Sequence, residues 1–176
     1  MAVIEAIATT YLEADAASVE FTSIPATYEH LTLHYTARSA GSGGGHVIMY
    51  LQFGTGGGAV DTGTNYSIHY IRGYASSAGT SVKTADGTYI SAGRIPQEGE
   101  PADVYGITKV DILDYANTNK NTTLQFLTTG HINGEIGYGG GGWFGGTQGA
   151  VDRIKLSMAS NWVRGSQFSL YGIKSA

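Results

Sequence analysis

Four pairs of residues have the types and spacings from which sites are commonly built. His30 and His34 stand four apart. On a helix this spacing lets two imidazoles share one zinc ion. On a strand four residues rise about 13 Å, so both rings point the same way but cannot chelate one ion. Asp111 and Asp114, or Glu98 and Glu100, could act as paired carboxylates in glycoside hydrolysis if held about 5 to 9.5 Å apart. Three residues apart on a strand, Asp111 and Asp114 face opposite sides. Glu98 and Glu100 fall with Asp103 in a loop expected over 93–103, where solvation is the plain reading. Trp143 and Phe144 sit within Gly-Gly-Gly-Gly-Trp-Phe-Gly-Gly. Glycines free the backbone for unusual dihedrals and close approach. Large aromatics there can anchor an interface, cap the chain's own core, or stack on a sugar ring. Trp143, Phe144, Glu98 and Glu100 are therefore the candidate interface residues.

Stronger chemical signatures are missing. There is no Gly-x-Ser-x-Gly elbow. No glycine is followed by lysine, which removes the phosphate-binding loop. The glycine runs also lack the helix N-terminus that such a loop needs. No Asp-x-Asp/Asn-x-Asp/Asn-Gly calcium loop occurs. His46, His69 and His131 have no companion at ligand spacing. The absence of cysteine excludes disulfides, thiolate metal sites and cysteine nucleophiles. We therefore expect no catalytic residue, no cofactor and no metal.

The net charge is −4 and only 14% of residues are charged. Lys and Arg are scattered, whereas phosphate-backbone binding needs them clustered. The nearest approach to a cluster, Arg153 and Lys155, reads as a solvated strand face. Nucleic-acid binding is not expected. The longest apolar run, Val47 to Leu51, is far short of the roughly 20 residues that span a bilayer. The N-terminus lacks a basic region followed by an apolar stretch, so neither a signal peptide nor membrane association is expected.

These residues must be positioned by strands. The chain has 176 residues, 27 of them glycine, with twelve tyrosines and three prolines. That composition disfavours helices and suits short strands with wandering loops. Leu31, Leu33, Tyr35 and Ala37 alternate with Thr32, His34 and Thr36. Tyr66, Ile68 and Tyr70 alternate with Ser67 and His69. Ile154, Leu156 and Met158 alternate with Lys155 and Ser157. Each reads as a strand with one buried face. Strands are expected near 3–11, 18–24, 29–38, 46–53, 65–74, 104–115, 121–128, 151–159 and 166–174. The segment 46–53 reads as a central strand covered on both sides. A small hairpin is expected at Asp86-Gly87. The glycine-rich stretches 41–45, 54–58 and 137–146 read as connections. The fold class is all-β: one β-sandwich domain over 1–176, jelly-roll-like, with long Gly-rich loops.

Three short phrases carry a resemblance. The chain closes with Ser166-Gln167-Phe168-Ser169-Leu170-Tyr171-Gly172-Ile173. Near its start runs Ser18-Val19-Glu20-Phe21-Thr22-Ser23-Ile24-Pro25, followed by Tyr28-Glu29-His30-Leu31. Mid-chain it has Asp114-Tyr115-Ala116-Asn117-Thr118-Asn119-Lys120. In kind, order and spacing these phrases resemble a group of tailed-bacteriophage virion structural proteins. The resemblance implies a capsid decoration (cement) protein that contacts the major capsid protein, or a tail-fibre or receptor-binding module that contacts host glycans. A virion-associated glycan-degrading enzyme is a more distant alternative. It also implies a homo-oligomer, a trimer by expectation, synthesised in the host cytoplasm and located in the virion.

Overall fold

The computed structural model describes residues 3–75, 77–130, 134–145 and 149–174. His131, Gly146 and the chain termini lie outside them. The described chain forms twelve strands. They are β1 (Val3–Tyr11), β2 (Ala16–Phe21), β3 (His30–Ala37), β4 (His46–Thr55), β5 (Tyr66–Tyr74), β6 (Ser77–Gly87), β7 (Ile90–Pro96), β8 (Gly106–Leu113), β9 (Thr122–Thr129), β10 (Ile136–Trp143), β11 (Val151–Trp162) and β12 (Gln167–Lys174). The large sheet has the order β1-β12-β3-β8-β9-β10-β5-β6, and the small sheet the order β2-β11-β4-β7. All pairings within both sheets are antiparallel. The architecture is the expected all-β sandwich.

The core lies between the sheets. From the large sheet come Leu31, Leu33, Tyr35, Val110, Ile112, Leu124, Phe126, Phe168 and Leu170. The small sheet supplies Val19, Phe21, Met49, Leu51, Phe53, Ile90, Ile95, Ile154, Leu156 and Trp162. Burying each large apolar side chain contributes about 1.5–3 kcal/mol, so the period-two pattern sets which face turns inward. On β4 the burial alternates: Met49, Leu51 and Phe53 are buried, while Ile48, Tyr50 and Gln52 are partly open. That strand is central but is covered fully on one side only, which corrects the expectation for 46–53.

Two expected connections proved to be strands in whole or in part, and an expected hairpin does not form. The glycine run 137–143 is β10, hydrogen-bonded between β9 and β5. Segment 90–96 is β7, so the acidic loop begins at Gln97. No hairpin forms at Asp86-Gly87, because β6 pairs with β5 in the large sheet and β7 pairs with β4 in the small one. Asp86 takes a positive φ of 56° where the chain leaves the large sheet.

The three resemblance phrases meet at one corner. The Tyr28 ring lies over Gly172, where any Cβ would collide with it. The Tyr115 hydroxyl donates to the Pro25 carbonyl and accepts from the Tyr28 amide at 3.3 Å. Lys120 Nζ holds Asp114 at 2.7 Å across the turn that follows β8. Tyr28 Oη donates to Glu5 at 3.1 Å, and Lys174 bonds the same carboxylate at 2.8 Å. Glycine at 172 and tyrosines at 28 and 115 are thus demanded by packing.

Candidate binding surface

Strand alternation separates Trp143 from Phe144. Trp143 turns into the core and is 4% exposed. Its ring packs at 6.0 Å from Phe53 and 6.4 Å from Tyr66. Its Nε1–H donates to Asp61 Oδ2 at 2.6 Å. Asp61 also accepts from Asn65 at 2.8 Å and from the Gly63 amide at 2.7 Å. The indole therefore belongs to the chain's own core, which corrects its grouping with the surface candidates. Phe144 goes the other way. It is 48% exposed, and its ring lies over Gly142 on the outer face of the large sheet.

That outer face carries three hollows. Cross-strand partners form rows. One row runs Ser169–His34–Lys109–Leu127–Tyr138–Ile71, and the next Tyr171–Thr32–Asp111–Gln125–Gly140–His69. On β10 the outward positions are Ile136, Tyr138, Gly140 and Gly142. Tyr138 stands half exposed, and its hydroxyl donates to Gln125 Oε1 at 2.9 Å. Beside it Gly140 leaves bare backbone. A Cβ there would meet only the Leu124 carbonyl, at 3.2 Å. The result is a hollow of about 420 Å³ bounded by His69, Gln125 and Tyr138 and floored by Gly139 and Gly140. On the other side of Tyr138 a hollow of about 350 Å³ is lined by Ile71, Leu127 and Ile136. A third, of about 410 Å³, lies among His34, Lys109, Gln167 and Tyr171. There the His34 ring packs on Tyr171 at 5.4 Å. Burial lowers the His34 pKa, and nearby Lys109 adds to the effect against Asp111.

The carboxylate candidates are engaged in holding local structure. Asp111 accepts from Thr32 Oγ1 at 2.8 Å and pairs with Lys109 at 3.0 Å. Burial alone would raise its pKa, but the Lys109 and Thr32 bonds hold it below the usual value. Asp114 pairs with Lys120, and its amide donates to His30 Nδ1 at 3.1 Å. Glu98 projects from the acidic loop, whereas the Glu100 carboxylate turns back to accept from the Gly45 amide. The loop itself is organised by Arg38, which is 5% exposed. Its guanidinium donates to the carbonyls of Glu98 (2.9 Å), Glu100 (2.8 Å), Pro101 (2.7 Å) and Val104 (3.1 Å). Sequence reading missed Arg38, because a lone arginine after a strand has no local signature. Among the described residues no group of three or more His, Asp or Glu is placed to hold a metal ion. No described helix is long and apolar enough to cross a membrane.

No protein-family model matches the chain, and no curated protein matches it. Solved structures overlap weakly. The Ruminococcus gnavus IT-sialidase CBM40 bound to α2,3-sialyllactose is 9% identical at a TM-score of 0.34, covering 94% of this chain and 91% of that one. Toad ovary galectin in complex with thio-digalactose is 11% identical at a TM-score of 0.31, covering 83% and 97%. The exoplasmic/lumenal domain of VIP36 in its Ca2+/Man3GlcNAc-bound form is 8% identical at a TM-score of 0.35, covering 100% and 84%. At this level the likeness concerns overall architecture and nothing about ligands.

Proposed function

We propose that this chain is a non-enzymatic structural protein of a tailed-phage virion, a capsid decoration protein that reinforces the shell by protein–protein contact. The observation that carries this reading is β1. Among the described residues it is an edge strand of the large sheet, paired only with β12, and six of its nine residues are exposed, with Ile7 packing partly against the core. Val3 is 45%, Ile4 64% and Tyr11 53% exposed. Isolated proteins blunt long edges with lysine or proline, because unpaired N–H and C=O groups recruit other strands. Here β1 has neither, its only irregularity being a register shift against β12 between Ala6 and Ala8, and its one charge, Glu5, is occupied by Lys174 and Tyr28. Such a strand suits a chain that meets a partner, in this reading the major capsid protein, with three copies seated together. Burying surface across capsomer joints then couples their separation to the loss of many contacts.

Two measurements test it. Quantified protein from purified particles should give hundreds of copies per virion; a few to a few tens would place the chain in the tail instead. Replacing Ile4 and Ala8 together with lysine should leave the domain folded and lower its binding to undecorated particles by about tenfold or more. Undiminished binding would remove β1 from the interface. The reading as a tail-fibre or receptor-binding module is favoured by a different observation, the relief around Tyr138.

A further inference from the structure

We propose that the hollow beside Tyr138 on the outer face of the large sheet is a saccharide-binding site that takes a short pyranose oligosaccharide. This is a second activity, independent of shell attachment through β1. A pyranose presents an apolar C–H face and a rim of hydroxyls. Its receptor therefore needs an exposed aromatic plate, hydrogen-bonding side chains beside it, and a floor low enough for the ring to settle. All three coincide here. Tyr138 is 53% exposed, and its orientation is fixed by the 2.9 Å bond to Gln125. Gln125 and His69 flank the floor from the neighbouring strands in register with Gly140. Gly140 supplies the floor by having no side chain, and a ligand can approach the backbone there closely.

Phe144 extends the site. Its half-exposed ring covers Gly142, four residues beyond Tyr138, which is about 13 Å along an extended strand. Two aromatic plates separated by bare backbone fit a chain of several sugar rings better than a single one. The hollow's volume of about 420 Å³ falls within the range of small-ligand sites. Its chemistry also distinguishes the occupant from a second copy of this chain. The apolar side chains Leu127 and Ile136 line the separate hollow on the other side of Tyr138. This hollow shares Ile71 with it but adds an amide, an imidazole and a phenol ring, groups that match hydroxyl-rich ligands.

The test uses amide-resolved NMR of the purified chain with cellohexaose, maltohexaose and chitohexaose at millimolar concentration. Shifts should centre on Gln125 and Tyr138–Gly142 with at least one hexasaccharide. Tyr138→Ala and Phe144→Ala should each weaken that binding by about tenfold while leaving the melting temperature within a few degrees of the parent. Gly140→Ala, which raises the floor, should weaken it in the same direction. Silence with all three sugars, or equal binding by the parent and both aromatic variants, overturns the proposal. So does a change in self-association on Tyr138→Ala without any change in sugar binding, since the face would then belong to a second copy. None of these outcomes depends on β1, so this site can fail while the shell-binding reading stands.

Discussion

Trp143 illustrates how much one side chain can be asked to do. Its ring fills the core between Phe53 and Tyr66, and its single N–H reaches a carboxylate. Burial would raise the Asp61 pKa, but donors from Trp143, Asn65 and Gly63 outweigh it and hold the group below its ordinary value. A carboxyl depressed in the folded state stabilises the fold above its unfolded pKa, and that contribution is lost as pH falls through the folded value. Trp143→Phe keeps an aromatic ring and removes the N–H. We expect it to cost about 1–3 kcal/mol near neutral pH. The cost should shrink on acidification below the carboxylate range, where the lost bond no longer meets a charged partner. Urea titrations at neutral and acidic pH measure it; a cost independent of pH would mean that ring packing alone is at stake. From the sequence Trp143 had three possible fates. The register of β10 decides among them, and that register is set by neighbours distant in the chain. Asp61 did carry a local signal, since an aspartate two residues before a glycine is suited to bonding its backbone.

At the scale of elements, legibility followed side-chain alternation. The nine strands expected from sequence are each present, most of them marked by large residues at period two and β4 by a nearly continuous apolar run. Of the other three, β10 reads as a connection and β6 and β7 only as a small hairpin around Asp86-Gly87; they lack that signal for identifiable reasons. β10 is glycine at five of its eight positions, so there is nothing to alternate. β7 contains Gly93 and ends at Pro96, both of which read as punctuation. β6 begins Ser-Ala-Gly-Thr-Ser, the composition of a loop. What makes β10 a strand is the pair of β-rich neighbours that leave room for it. Beneath Gly139 the side chains of Tyr70 and Phe126 occupy the place of a Cβ, with Phe126 Cε1 only 2.7 Å from where it would stand. Adjacent Gly140 faces the open trough. Two neighbouring substitutions should therefore behave differently. Gly139→Ala overpacks the core and should cost about 1–3 kcal/mol or more. Gly140→Ala meets only one carbonyl and should cost distinctly less. Thermal or denaturant melts of the two variants decide it, and equal costs would show that β10 needs glycine for backbone reasons alone.

At the scale of the whole molecule, one end of the sandwich is tied together by charge in a chain that has few charges. Glu135, 3% exposed, precedes β10 of the large sheet. It pairs with Arg72 of β5 at 3.7 Å, with Arg94 of β7 at 3.7 Å and with His46 of β4 at 3.2 Å. Two of these partners belong to the small sheet and one to the large, so the cluster spans the layers. Glu135, Arg72 and Arg94 line a cavity of about 10 Å³ with Tyr70, Ser91 and Thr128. Sequence reading saw none of this. Residues 46, 72, 94 and 135 share no motif, and a scattered cation looks like any solvated one until the fold is known. A buried carboxylate is costly to desolvate and is retained only with partners, and removing one member of such a group leaves the others uncompensated. Glu135→Ala would leave two guanidiniums facing each other beside an imidazole. Both guanidiniums are about a quarter exposed, at 25% and 23%, so they can turn partly toward solvent and relieve some of that repulsion. We therefore expect a loss at the lower end of about 3–5 kcal/mol for Glu135→Ala. Glu135→Gln keeps the shape and should cost less. Denaturant titration gives the totals, and amide exchange locates them. Protection should fall first at the ends of β4, β5, β7 and β10 near the cluster, ahead of β3, β8 and β12 on the far side. A loss below about 1 kcal/mol, or uniform loss of protection, would mean that apolar packing alone holds the two sheets together there.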